Sequence, residues 1–134
     1  MVFSGLSKYK NAALLVMRTG IGIAMTLHGY PKISGGEHVW HEVGKAMGVF
    51  GITFLPTFWG FMAAITEFLG GILFIIGLAF RPACILLAFV MLVVILGGWK
   101  NHSHYDNLLH PLELFVVFIS LLFLGPGRYS ADGK

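Results

Sequence analysis

The sequence predicts an all-α integral membrane protein, a four-transmembrane-helix bundle with an interfacial amphipathic helix in the first outer loop. Of its 134 residues, 57% are hydrophobic and only 11% are charged, which is too little charge to cover a soluble domain of this size. The chain also contains four apolar stretches that each approach the length needed to cross a bilayer. We expect the whole chain, residues 1–134, to form a single membrane domain.

Turn or charge signals bound each of the four predicted spans. The spans cover residues 11–29, 57–80, 83–99 and 109–124. Only Arg81 and Pro82 separate the second span from the third, and because proline interrupts a helix, these two spans should form an antiparallel hairpin. The third span has no ionisable residue between Cys84 and Trp99 and is expected to face lipid.

Residues 37–50, between the first two spans, carry apolar side chains at helical spacing, Trp40 among them. His38, His41 and Glu42 fall on the opposite side of the same predicted helix. This pattern is typical of a helix that lies in the bilayer interface.

Basic residues in the connections indicate the orientation. With the N-terminus in the cytoplasm, five Lys and Arg residues lie on the cytoplasmic side and three on the other. Both termini are therefore expected in the cytoplasm, with all six histidines at or near the outer face. Because the basic residues sit mostly at helix ends, the lipid bilayer is the expected partner, and nucleic acid is not.

Three ionisable residues fall inside predicted spans: Arg18, Glu67 and Glu113. An ionised side chain at mid-membrane costs about 3 kcal/mol on insertion scales, so these residues should satisfy one another inside the bundle. Arg18 and Glu67 each lie near the middle of their spans, which predicts a buried ion pair. This pair either supports a site or only fixes helix register.

A second polar layer is expected nearer the outer face, where His28 reaches the level of His110 and Glu113. A titratable cluster at this depth suits proton-coupled chemistry. We interpret these three residues as candidate catalytic groups.

The connection before the fourth span offers a candidate metal site. His102, His104 and Asp106 alternate in sequence, so an extended loop would point all three side chains one way, and imidazole with carboxylate suits Zn²⁺, Cu²⁺ or iron. The alternative is a polar loop that lines an access path. No nucleotide-binding loop occurs, so no nucleotide cofactor is expected.

Three segments together resemble the DoxX family of small bacterial membrane proteins. They are MRTGIGIAMTLHGYPKI from Met17, TEFLGGILFIIGLAFRPAC from Thr66, and GPGRYSAD from Gly125. The resemblance covers nearly the whole chain and implies a bacterial cytoplasmic (inner) membrane. The family positions matched here are Arg18, His28, Gly29, Glu67, Gly70, Gly71 and Arg81.

The resemblance implies redox chemistry, since the family includes a subunit of thiosulfate:quinone oxidoreductase and members associated with sulfur or oxidative-stress redox complexes. The leading hypothesis is a membrane subunit of a quinone-linked oxidoreductase. His28 and His110 would contact the quinone and Glu113 would relay protons. The cofactor-binding residues would be His28, Gly29, Glu67, Gly70 and Gly71.

The chain has one cysteine and no cysteine pair, so a second protein subunit is the expected electron donor. Two rival classes stay open. One is a non-enzymatic metal-binding membrane protein that uses outer-face histidines, and the other is a structural or assembly subunit of a membrane complex. Homo-oligomerisation is also left open.

Overall fold

The computed structural model describes residues 3–100 and 106–133, which are helical apart from turns and contain no strand. Four of its helices are long and apolar enough to cross a membrane, so the predicted fold class is confirmed. A short 3-10 segment, Ser4–Tyr9, precedes the first α-helix, and another, Lys45–Phe50, follows the second. The α-helices are α1 (Lys10–Ser34), α2 (Glu37–Gly44), α3 (Pro56–Ile76), α4 (Phe80–Lys100) and α5 (Asp106–Leu124).

The four spanning helices pack in chain order, α1 against α3, α3 against α4 and α4 against α5, while α2 lies on α3. We call the end at which α1 finishes and α3 begins the loop end. We call the end at which α3 turns into α4 the tail end. Residues 37–50, predicted as one helix, form α2 followed by a 3-10 segment.

Glycines bring the backbones of α1 and α3 into direct contact. A Cβ atom built on Gly22 would lie 2.7 Å from the Gly71 carbonyl oxygen, and one built on Gly71 would lie 2.7 Å from the Gly22 oxygen. Nearer the loop end, a Cβ on Gly29 would lie 2.6 Å from the amide nitrogen of Phe68. Small residues allow this close approach of membrane helices. The glycine face therefore serves helix packing and leaves no room for a ligand between α1 and α3.

The prediction that the third span faces lipid is incomplete: Ile85, Leu86 and Leu96 are exposed on one side of α4, but the other side is buried. An apolar sequence does not distinguish lipid contact from protein contact, because lipid tails are as apolar as leucine. One side of α4 forms much of the core, together with Phe74 of α3 and Phe118 of α5. The buried residues of α4 are Phe80, Ala83, Cys84, Leu87, Ala88, Met91, Val93 and Gly97.

The turn between α3 and α4 lies at residues 77–79 and not at Arg81–Pro82. Gly77 ends α3 with a φ of 78°, and Ala79 also has a positive φ, 49°. Pro82 falls in the first turn of α4, where proline is tolerated because the N–H that it lacks would have no partner within the helix.

The segment after α5 returns to this turn and closes the tail end. The Asp132 carboxylate accepts hydrogen bonds from the amides of Ala79 (3.1 Å) and Phe80 (2.8 Å). The Asp132 amide donates to the Gly77 carbonyl at 3.0 Å. A carboxylate at a helix N-terminus satisfies free amides and complements the helix dipole, so Asp132 caps α4 from a distant part of the sequence.

Candidate functional site

A buried ion pair joins α1 to α3 in the loop-end half of the bundle. The Lys32 ammonium nitrogen lies 2.8 Å and 2.9 Å from the two carboxylate oxygens of Glu67. The Glu67 side chain is only 2% exposed, whereas the Lys32 side chain is 31% exposed. Glu67 is thus held inside the protein by a cation that still reaches the surface.

The helix contact described above explains how Lys32 reaches Glu67. Gly29 touches the backbone at Glu67 and Phe68, and Lys32 follows three residues later, on the same face of α1. Glu67 is buried on a face of α3 that also carries four small buried residues, Gly60, Ala64, Gly70 and Gly71.

Helix α2 fixes the backbone at Lys32. The Trp40 indole N–H donates a hydrogen bond of 2.8 Å to the Lys32 carbonyl oxygen, and the Trp40 ring packs edge-on against Phe61 of α3. Gly44 and Gly60 let α2 approach α3 so closely that a Cβ on either residue would overlap backbone of the other helix. Helix α2 and the 3-10 segment that follows it, residues 37–50, therefore lie over one side of α3. We call these residues the cover.

A cavity of about 220 Å³ lies between this cover, α3 and α4. Lys32 and Glu67 contribute charge to its wall, Thr66 contributes a hydroxyl, and most of the remaining surface is apolar. The other lining residues are Val43, Gly44, Ala46, Met47, Trp59, Met62, Ala63, Leu86, Phe89, Val90, Val93 and Val94. The cavity therefore combines an apolar wall with a localised ion pair.

Trp59 also contributes an unsatisfied donor to this region. Its indole nitrogen is buried and has no hydrogen-bond partner within residues 3–100 and 106–133. An unsatisfied buried donor costs about 1–3 kcal/mol.

The structure does not form the predicted Arg18–Glu67 ion pair. Arg18 is fully buried and donates hydrogen bonds to the carbonyl oxygens of Phe74 (3.0 Å) and Ile75 (2.9 Å), with a third bond to the Tyr129 carbonyl. Because α1 and α3 are antiparallel, Arg18 meets the end of α3, eight residues or about 12 Å along the helix from Glu67. Free carbonyls at a helix C-terminus attract a cation. Arg18 therefore joins α1 to the end of α3 and to the segment after α5, residues 125–133, which we call the tail.

The structure does bring His28 and His110 together. Their ring centroids are 5.6 Å apart, with the ring planes inclined at 44°, and both residues are exposed. Glu113, expected to relay protons, follows one helical turn after His110 and is also exposed. Neither these three residues nor Arg18 lines the cavity beside Lys32 and Glu67.

Of the candidate metal ligands, His102, His104 and the Asp106 side chain lie outside the described residues. Within the described part of the chain, no group of three or more His, Cys, Asp or Glu residues could hold a metal ion. On α2, His38 and His41 are exposed. Their neighbour Glu42 accepts a hydrogen bond from Lys45, and that bond together with the Lys45 charge lowers the pKa of Glu42.

Lys32 is the site residue that sequence reasoning missed. The predicted first span ends at Gly29, before Pro31, which assigns Lys32 to a loop. In the structure α1 continues through Pro31 to Ser34. The signal was available in the spacing, since Lys32 lies three residues after the glycine that faces α3.

These features define a small multi-pass membrane protein with a ligand-sized cavity against a buried ion pair. The DoxX family model matches residues 13–99, which is most of the chain, and the chain belongs to the DoxX family. The chain is similar to a protein of Bacillus subtilis (strain 168) named "Putative oxidoreductase CatD". The two are 26% identical over 125 residues, which cover 90% of this chain and 88% of the relative. No solved structure gives a significant match.

Proposed function

We propose that this DoxX-family protein is the membrane subunit of a quinone-linked oxidoreductase and that the cavity beside Lys32 and Glu67 holds the quinone ring. The observation that carries the proposal is the composition of the cavity, an apolar enclosure with one buried ion pair on its wall. The name of the Bacillus relative supports the broader assignment to redox chemistry.

The size of the cavity favours a ring headgroup over a larger ligand. Pockets that enclose drug-sized ligands have volumes of about 300–1,000 Å³, whereas this cavity has about 220 Å³. A single substituted ring matches that volume, and an isoprenoid tail would remain outside in the lipid. Apolar residues that line the cavity, such as Phe89, Val90 and Val94, would pack against the faces of the ring.

Lys32 is placed to bind a ring oxygen. An ammonium group has three N–H donors, and the carboxylate of Glu67 is the only hydrogen-bond acceptor of Lys32 in the described part of the chain. One donor is therefore available for a quinone carbonyl. Glu67 would orient this lysine towards the ring.

The redox step needs an external electron donor. A quinone becomes a quinol by taking up two electrons and two protons, and Cys84, the one cysteine of the chain, is buried in the core. A reduced second subunit would deliver both electrons. Lys32 would donate one proton to the ring oxygen that it binds and regain a proton from water at its exposed side, while the second proton would come from water at the cavity mouth. The quinol would then leave into the bilayer.

The direct test is quinone binding to the purified protein in lipid nanodiscs, with decylubiquinone and a short-chain menaquinone as probes. Quenching of tryptophan fluorescence is a suitable signal, because Trp59 lines the cavity. Ala63→Leu should fill part of the cavity and weaken binding at least tenfold without touching the ion pair. Ala24→Leu, the same change at an exposed position of α1, should bind as the wild type does.

A second arm removes the polar contact. Lys32→Met should abolish binding, and it should also abolish quinone reduction in native membranes that contain the partner subunit. The proposal is wrong if the wild type binds neither quinone, or if Ala63→Leu and Lys32→Met both bind with wild-type affinity.

We also propose that the protein lies in the bacterial inner membrane with both termini in the cytoplasm. The excess of basic residues at the tail end supports this orientation. Labelling of intact cells with a membrane-impermeant maleimide tests it. Glu37→Cys at the loop end should react, and Lys8→Cys near the N-terminus should react only after lysis. The opposite pattern would reverse the orientation.

A further inference from the structure

His28 and His110 contact each other but do not line the cavity that we propose holds the quinone. The two imidazoles belong to the last part of α1 and the first part of α5. They are the one cross-bundle histidine pair in residues 3–100 and 106–133. Both side chains are exposed on the surface of the protein, and both lie near the loop end of their helices.

The distance between the rings suits a shared metal ion. With metal–nitrogen bonds of about 2.0–2.1 Å, the ring centroids of two imidazoles lie about 4.5 Å apart at adjacent positions of a square-planar ion such as Cu²⁺ and about 5.2 Å apart on a tetrahedral ion. At opposite positions of a square-planar or linear ion they lie about 6.4 Å apart. The observed separation of 5.6 Å lies between these limits. A small rotation of either ring would bring one nitrogen of each histidine to a common ion.

The surroundings limit what such a site can be. No third His, Cys, Asp or Glu in the described residues converges with this pair, so an ion there would complete its coordination with water. Structural zinc sites use four protein ligands, whereas sites with open positions keep water or exchangeable ligands. This geometry fits an ion that is bound and released, and it does not fit a permanent structural metal.

We propose that His28 and His110 form a two-histidine site for a borderline divalent transition-metal ion. Imidazole ligands suit copper and zinc, and the general order of affinity places Cu²⁺ above Zn²⁺. A bound ion would link the first spanning helix of the chain to the last.

The test is metal binding to protein purified without a histidine tag, in nanodiscs of zwitterionic lipid, with Cu²⁺ and Zn²⁺ as probes. We expect one Cu²⁺ to bind per chain at this site, with an electron paramagnetic resonance spectrum that shows coupling to two imidazole nitrogens. His28→Ala and His110→Ala should each weaken binding at least tenfold. The double variant should lose little more than either single variant, because the pair binds as a unit. Zn²⁺ should raise the thermal unfolding midpoint of the wild type but not that of His28→Ala or His110→Ala, since an ion that binds the folded state stabilises it.

Two matched controls distinguish this site from the other histidines of the chain. His38→Ala/His41→Ala removes two exposed histidines from α2, and His102→Ala/His104→Ala removes two histidines that precede α5 in the sequence. Both double variants should retain the Cu²⁺ site and its two-nitrogen spectrum. The proposal is overturned if His28→Ala or His110→Ala binds Cu²⁺ as the wild type does, or if the loss occurs only in one of the control variants. If an alanine variant does not fold, His28→Gln and His110→Gln provide the same comparison.

Discussion

Glu67 and Lys32 form a buried pair in which only the cation retains access to the surface: the carboxylate side chain is 2% exposed and that of the lysine 31%. The positive charge of Lys32 compensates the buried negative charge of the Glu67 carboxylate. The lysine, in contrast, can turn towards water when the carboxylate is lost. The two halves of the pair are therefore unequal, and removing them should have unequal effects.

Lys32→Met should destabilise the protein more than Glu67→Gln. Removing the lysine leaves an uncompensated buried carboxylate, which costs about 3–5 kcal/mol, whereas Glu67→Gln leaves a lysine that can reorient and should cost about 1–2 kcal/mol. The double variant Lys32→Met/Glu67→Gln should recover most of the difference. Thermal unfolding in nanodiscs measures all three, and equal losses in the two single variants would contradict this asymmetry.

Gly29→Ala should loosen the contact between α1 and α3. The added methyl group would lie 2.6 Å from the Phe68 amide nitrogen and 2.9 Å from its Cα, both of them backbone atoms that cannot move aside. Overpacking of this kind costs about 1–3 kcal/mol.

Gly20→Ala is the matched control for that change, because a Cβ at Gly20 has no atom within 4 Å. Alanine favours a helix over glycine by about 1 kcal/mol, so this variant should be neutral or slightly more stable. Denaturation curves of the two variants should shift in opposite directions, and a similar loss in both would argue against the close packing of α1 on α3.

Arg18→Lys should release the tail from the helix ends. A lysine has one nitrogen and cannot reproduce the planar fork that reaches Phe74, Ile75 and Tyr129 at once, and hydrogen bonds to a charged group contribute about 1.5–3 kcal/mol each. Limited proteolysis should show faster cleavage after α5. Arg81→Lys, which removes a single bond to the Leu122 carbonyl, should have a smaller effect. If the tail of Arg18→Lys were as resistant as that of the wild type, Arg18 would not be what holds it.

Asp132→Ala should weaken the start of α4. The substitution leaves the Ala79 and Phe80 amides without their carboxylate acceptor, and the loss of such a cap costs about 0.5–2 kcal/mol. Asp132→Asn should retain most of the stability because an amide oxygen also accepts from these amides. Amide hydrogen exchange at residues 79–83 provides the readout, and unchanged exchange in Asp132→Ala would show that the cap is not needed.

The sequence was sufficient to predict the four spans and the burial of Glu67, because hydropathy and the presence of an ionisable residue inside an apolar stretch are local signals. The partners of the charged residues, in contrast, come from distant parts of the sequence and cannot be identified from local patterns. Sequence reasoning paired Arg18 with Glu67 as opposite charges, but every helix end also offers carbonyl oxygens that no side-chain pattern reveals. The return of Tyr129 to Arg18 depends on the path of the tail and could not be read from periodicity.

Pro31 explains the missed lysine. Proline usually ends a helix in water, but a membrane helix can continue through it because neighbouring groups satisfy the freed backbone. Because the predicted first span ends before Pro31, Lys32 was assigned to a loop, and its ion pair with Glu67 was not predicted. The cavity could not be predicted either, since its walls come from five separate elements and their packing includes the close contact of Gly44 with Gly60.

The bonds from Arg18 to Tyr129 and from Asp132 to the α3–α4 turn also impose an order on biosynthesis. The ribosome produces Arg18 before any of its three acceptors, and Tyr129, the last of them, follows more than a hundred residues later. The bundle can close only when the last segment has been translated. We expect chains truncated after α5 to be inserted but degraded, because Arg18 would then be buried without its Tyr129 acceptor.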